Sequence, residues 1–269
     1  MPAAYAHIIF GNRVLGALPD HVREPLIYSN IDVFEVGLQG PDILFYYRPL
    51  SKNSVSALGN AMHEQTGREW FLTALHRFGA QQGEPEISPA ALAYLYGVLC
   101  HFVLDSQCHD YINQYVRDTG ISHYEVESEF DRSLMLYRRR NPLTTSRIPD
   151  FDPSSRVAHV IEPFYDGVDE KMTKEALDSF VKFHRLLRCA SNAKRNFIYA
   201  ALHLLGKYDE LHGHIINRWP NPGCEASNAE LFARMDAAIP IAVRLISGFS
   251  EKEVLTDPQF ELNFEGVRP

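Results

Sequence analysis

The chain has 269 residues, 45% of them hydrophobic and 22% charged, with a formal net charge of −8. That is enough apolar material for one large core, and no Ser/Gly-rich linker or internal repeat divides it, so residues 1–269 are expected to form a single domain. The acidic balance argues against generic attraction to nucleic acid or anionic lipid and leaves any affinity for phosphate to local groups.

The amino-terminal stretch Met-Pro-Ala-Ala-Tyr-Ala-His-Ile-Ile-Phe has no basic region followed by a long apolar run and does not read as a signal peptide. Apolar runs such as Leu92 to Leu104 are too short and too interrupted to span a bilayer, so no stable membrane insertion is expected. Gly40-Pro41-Asp42 is a turn ahead of the aromatic run Ile43 to Tyr47, which places Asp42 on a loop or a helix start. Leu58 to Phe78 holds two apolar helical periods around Gly67, with His63 in the first. Ser88-Pro89 pairs an N-cap serine with a proline at the first helical position and opens a helix that should run to about Asp118. After a turn at Thr119-Gly120, Ser122 caps a helix from His123 to about Arg139, with Asn141-Pro142 ending it. Beyond Pro153 the segments 154–166, 173–191, 193–207 and 227–247 are each amphipathic at helical period and complete the bundle through 141–269. Alternating β-branched stretches with hairpin turns are missing, so the expected fold is all-α: a single-domain multi-helix bundle. The four cysteines, Cys100, Cys108, Cys189 and Cys224, show no framework spacing, and Cys100 and Cys108 lie too far apart along one helix to bridge. Free thiols and a cytoplasmic location are the expectation.

Eight potential metal ligands follow one another as His7, Asp42, His63, His101, Asp105, His109, His123 and Glu127. His101, Asp105 and His109 are spaced i, i+4, i+8, so their side chains fall within roughly 80° of one another on a helix. His123 and Glu127 repeat the i, i+4 spacing on the next helix, which can fold back against the first. An aspartate kept among Phe102, Val103, Leu104 and Ile112 costs several kcal/mol if unpaired, so it requires a cation or a dense hydrogen-bond network. Imidazole and carboxylate without thiolate suit zinc, with iron or manganese also compatible, and such a set leaves a position open for water. The expected core of the bundle is therefore a buried metal cluster.

This order and spacing resemble the zinc-dependent phospholipase C family, whose wider superfamily includes single-strand-specific zinc nucleases. The motif HxxxD, then His, then HxxxE, with the Gly-Pro-Asp turn upstream, covers positions 7 to 127. The resemblance implies an all-α bundle around zinc ions that cleaves phosphoesters. By position it implies that Asp42, His63, His101 and Asp105 hold one of two paired zincs and His109, His123 and Glu127 the other. Asp105 would then bridge to a third zinc held with His7. In the family that third ion also takes the amine and carbonyl of an amino-terminal tryptophan, which this chain lacks; excision of Met1 would offer the Pro2 amine instead. The aromatic residues that cage a choline headgroup do not recur either, because Ile43 follows the aspartate and Asn60 precedes His63 by three, so phosphatidylcholine is not the expected substrate.

The resulting expectation is a zinc-dependent hydrolase acting on a lipid headgroup or a smaller soluble phosphoester, with Asp42 orienting or deprotonating the attacking water. A nuclease or nucleotidase of the same superfamily and a non-catalytic metal-binding module are the alternatives. Arg138-Arg139-Arg140 reads as cations at a helix carboxyl end, His212-Gly-His214 as a solvated connection, and His76, His159, His184 and His203 as surface or capped histidines. Phe45, Tyr46, Tyr47 and Trp70 read as core residues, with the lining of a substrate cleft as the second possibility.

Overall fold

A 31-residue helix, α5 (Pro89–Thr119), is the axis on which the rest is built. Its boundaries follow from local chemistry: the Ser88 side chain accepts the Ala91 N–H, Pro89 occupies the first helical position, and Gly120 ends it in the left-handed region at φ 74°. The computed structural model describes residues 4–81, 87–149 and 152–269. By length and composition α5 passes as a membrane span, but 78% of its most apolar window is buried by the protein's own helices. It is the core helix of the bundle.

Around it lie α1 (Ala4–Ala17), α2 (Asp20–Gly37), α3 (Ser54–Glu64), α4 (Gly67–Gln81), α6 (His123–Tyr137), α7 (Ser155–Ile161), α8 (Glu170–Leu187), α9 (Asn192–Leu204), α10 (Tyr208–Leu211), α11 (Glu225–Ser247) and α12 (Glu251–Thr256). No sheet forms among the described residues; Thr66 and Asn263 make an isolated bridge. The all-α bundle is thus as expected. α2 and α5 cross with their backbones touching, because a Cβ on Gly97 would stand 2.4 Å from the Phe34 carbonyl oxygen. This crossing fixes the 3₁₀ segment Gly40–Tyr46, which leaves α2, against the middle of α5. One main core unites most of the helices, while a small separate one of Cys189, Ile198, Leu202 and Ile215 lies under α9.

The boundaries differ from the sequence reading in one instructive place. α6 stops at Tyr137 rather than near Arg139, since Arg139 takes φ 57° and turns the chain before Asn141-Pro142 is reached. The three arginines at 138–140 are exposed at this helix end, as expected. All four cysteines are free and buried.

Candidate metal centre

Five elements deliver the eight residues to one place. α1 brings His7, the 3₁₀ segment Asp42, α3 His63, α5 the stripe His101, Asp105 and His109, and α6 the pair His123 and Glu127. Ligand atoms converge within 4.8 Å in three groups: His7, His101 and Asp105; Asp42, His63 and His101; His109, His123 and Glu127. Asp105 joins them. One of its oxygens lies 3.1 Å from His7 Nε2 and 3.6 Å from His109 Nε2, and the other 2.9 Å from His101 Nε2. Asp42 Oδ1 lies 3.0 Å from His63 Nε2, and Glu127 Oε1 3.0 Å from His123 Nε2 and 3.5 Å from His109 Nε2.

The rings are oriented from behind. His63 Nδ1 donates to the Gly59 carbonyl at 2.7 Å and His101 Nδ1 to the Leu38 carbonyl at 3.2 Å, which leaves each Nε2 lone pair aimed into the cluster. Gly40, at φ 52°, lies so close to His101 that a Cβ would meet its ring at 2.5 Å; the Gly-Pro-Asp turn thus backs the imidazole while presenting Asp42. His7 stacks on His101 with ring centroids 4.2 Å apart.

Burial opposes charge on Asp105, yet His101, His109 and His7 together hold its carboxyl well below the usual range. Burial also opposes charge on His109, but Asp105, Glu127 and Glu265 raise it well above an ordinary imidazole. At His7 burial wins, and the ring is shifted towards the neutral form. Glu127 is held low against its burial by His123 and His109. Even so, beyond the hydrogen bond of His123 with Glu127 the groups satisfy one another only in part. Of the ten buried side-chain polar atoms without a hydrogen-bond partner among the described residues, seven belong to this cluster: His7 Nδ1, both oxygens of Asp42, His101 Nε2, Asp105 Oδ2, His109 Nδ1 and Glu127 Oε2. Close approach without hydrogen-bond alignment is what a set of ligands waiting for a third body shows. A cavity of about 20 Å³ reaches His7, Asp105, His109 and Glu127 on one side and is closed on the other by Leu104, Ile112, Phe130 and Leu231. The donor set therefore fits divalent metal, and its nitrogen and oxygen composition fits zinc.

Two supports carry no plain mark in the sequence. Asp131, fully buried one turn beyond Glu127, accepts the backbone N–H groups of Tyr5 at 3.3 Å and Ala6 at 2.9 Å and pairs with Arg147 Nε at 2.8 Å. It caps the first turn of α1 and so fixes His7, the next residue. A signal for it does exist, because His123, Glu127 and Asp131 repeat the i, i+4, i+8 stripe of α5. The second support is the carboxyl-terminal segment. Phe264 packs against the rings of His63 and His101 at 5.3 and 5.8 Å. Glu265 stands 3.6 Å from His109 Nδ1 and accepts from Asn113 Nδ2 at 2.8 Å, and the neighbouring imidazole pulls its pKa down to about 2. A carboxylate on the second nitrogen of a ligating histidine fixes its orientation, so Glu265→Gln should weaken zinc binding by the His109 group by about 10–100-fold, read by chelator competition. Unchanged affinity would reduce Glu265 to a surface contact.

Beside Asp42 and His63 opens a cleft of about 270 Å³ walled by Phe45, Tyr46, Tyr124 and Phe183, with Ser56, Asn60 and His214 among its polar groups. Phe45 stacks on His63 at 5.5 Å. Phe45 and Tyr46 thus take the cleft-lining role, whereas Tyr47 and Trp70 are buried in the core. Two histidines depart from expectation. His214 is buried rather than solvated, because α6 packs on its loop: Ser128 Oγ donates to the Gly213 carbonyl at 2.6 Å, and Tyr124 lies 4.3 Å from the His214 ring. His184 hydrogen-bonds Tyr46 at 3.0 Å, and burial pushes its pKa well below the usual imidazole range. His76 and His159 sit on the surface with Glu251 and Glu170, and His203 is exposed, as expected. Pro2 lies outside the described residues.

An all-helical bundle enclosing a multi-group histidine and carboxylate cluster is the architecture of a multi-metal centre. The family model for zinc-dependent phospholipase C matches residues 6–202, and the chain belongs to that family. That span contains all eight cluster residues and Asp131, but not Phe264 or Glu265. No curated protein and no solved structure matches the chain.

Proposed function

We propose that the chain hydrolyses a phosphodiester, with all eight cluster residues holding zinc ions. The observation that carries this reading is the convergence of three ligand groups around one shared carboxylate. An imidazole Nε2 holds one ion, so His101 serves one group only; with Asp42, His63 and one oxygen of Asp105 it makes a complete set. His109, His123 and Glu127 make the second, and His7 with the other oxygen of Asp105 a third, sparser one. Ions held by these residues would supply Lewis acidity, which lowers the pKa of a bound water and offsets phosphoryl charge.

The chain's own residues then do the rest. Asp42, at the cleft edge with no hydrogen-bond partner on either oxygen among the described residues, accepts the proton of the attacking water as its oxygen bonds to phosphorus and the ester bond to the leaving oxygen breaks. The aromatic walls exclude solvent from that step, while Ser56 and Asn60 offer hydrogen bonds to the group beyond the phosphate. Among the described residues no carboxylate lines the cleft, so a quaternary ammonium would find aromatic faces but no countercharge there, whereas Ser56 and Asn60 suit a hydroxyl-bearing group. A soluble diester is accordingly expected to turn over faster than phosphatidylcholine vesicles at equal phosphate.

The test is elemental analysis of protein purified without added metal, followed by turnover of a chromogenic soluble phosphodiester before chelation, after it, and after zinc is restored. At least two transition-metal ions per chain and chelation-sensitive, zinc-rescued turnover are expected. A protein that takes up no metal on reconstitution, or that binds metal and cleaves no phosphodiester or phosphomonoester, refutes the proposal.

A further inference from the structure

The net charge of −8 is spread unevenly. Residues 182–219 carry seven lysines and arginines against two acidic residues. This stretch forms the end of α8, all of α9 and α10, and the turns that follow. Several of its cations make hydrogen bonds to carbonyls or amides rather than to carboxylates. Lys194 Nζ donates to the Arg185 and Arg188 carbonyls at 3.1 and 2.9 Å, and Arg218 Nη1 to Asn192 Oδ1 at 2.7 Å. These bonds gather Arg185, Arg188, Lys194 and Arg218 around the start of α9.

The same face is apolar where it should be polar. α9 buries Ile198 and Leu202 on the small second core, and its opposite side presents Ala193, Phe197, Ala200 and Leu204 at i, i+4, i+7, i+11, all exposed. Phe197 is 75% exposed and Leu204 88%. Leu205 continues the stripe at 65%, while Leu186 (52%) and Trp219 (75%) flank the start of α9 with the cations. Isolated exposed hydrophobics need no explanation, but a helical stripe with an interfacial tryptophan and a basic rim does. Phe183 and Leu211, from the same elements, wall the cleft beside Asp42 and His63.

We propose that this face docks the protein on a bilayer carrying anionic phospholipid, with Phe197, Leu204, Leu205 and Trp219 entering the interface and Lys182, Arg185, Arg188, Lys194 and Arg218 meeting the headgroups. The charge decides between occupants. A second copy packed through the same face sets basic rim against basic rim, and an apolar partner leaves the rim unused, whereas an anionic bilayer uses both the apolar stripe and the cations. Docking here brings the bilayer to the elements that wall the cleft. The proposal does not depend on hydrolysis.

The test is co-sedimentation of the full-length protein with phosphatidylglycerol/phosphatidylcholine vesicles and with pure phosphatidylcholine vesicles, at low and high salt, with phosphate-ester release followed in the same tubes so that docking and turnover are read separately. Partitioning about tenfold or more in favour of the anionic vesicles, weakened by salt, is expected. Phe197→Asn with Leu204→Asn should lose most of it while keeping helicity and metal content, since both side chains are in solvent. Arg185→Gln with Arg188→Gln should lose the preference for anionic lipid. Equal partitioning on both vesicles would overturn the proposal, as would wild-type binding by either double variant. So would a dimer, present without vesicles, that the Phe197/Leu204 variant dissociates, because a second copy would then cover the face.

Discussion

Asp105→Ala is expected to remove metal from the His7 group and from the Asp42, His63 and His101 group together, and to lower phosphodiester turnover by at least about three orders of magnitude. The reason is geometric. Its two oxygens reach His7, His101 and His109 at 3.1, 2.9 and 3.6 Å, so among the described residues no other side chain touches members of all three groups. Without it, His7 and His101 lose the carboxylate that stands 3.1 and 2.9 Å from them, while His109 still faces Glu127 at 3.5 Å, so the two groups that share Asp105 lose a ligand and the His109 group does not. His109→Ala, by contrast, takes one nitrogen from one group and is expected to cost roughly one equivalent of metal while the Asp42 group stays filled. Elemental analysis of the two variants, purified side by side, makes the comparison. Equal losses in both would refute the bridging position of Asp105.

Much of this centre is legible in the amino-acid sequence because it is written in local spacing. The i, i+4, i+8 stripe of α5 and the i, i+4 pair of α6 need only a helix to align them, and the capping serines at 88 and 122 say where those helices begin. Asp42 is legible through its Gly-Pro turn. What stays hidden has no local signature. Glu265 reaches His109 only because the carboxyl-terminal segment returns across α4 and α5, with Gly67 N–H donating to the Leu262 carbonyl at 2.7 Å. His214 lies in a polar connection and His184 near the end of an amphipathic helix, and what covers them comes from α6, α8 and the 3₁₀ segment closing on one another. Asp131 escapes notice because one acidic residue within a helix is ordinarily a solvated one. Whole-chain charge hides a local feature in a different way: a sum over 269 residues averages away the basic stretch at 182–219.

The second large effect concerns Asp42, whose two roles a single substitution separates. Asp42→Asn keeps the size and one oxygen donor but loses the carboxylate, so the group with His63 and His101 should retain much of its metal while turnover of a soluble phosphodiester falls by about 100- to 10,000-fold. The surroundings favour this outcome. Asp42 is buried, its backbone is held by the 3₁₀ segment after Gly40, and neither oxygen has a hydrogen-bond partner among the described residues that an amide would disrupt. Its Oδ1 stands 3.0 Å from His63 Nε2, while the ring of Phe45, which lines the cleft, stacks on His63, so the carboxylate lies where cleft and cluster meet. Metal content and rate must be measured on the same preparation. Loss of rate with the ion retained assigns proton transfer to Asp42; loss of rate in proportion to loss of metal leaves it a ligand alone. A variant that keeps both metal and rate would remove Asp42 from the chemistry, and the base would then have to be sought among Glu127 and the groups around the second site.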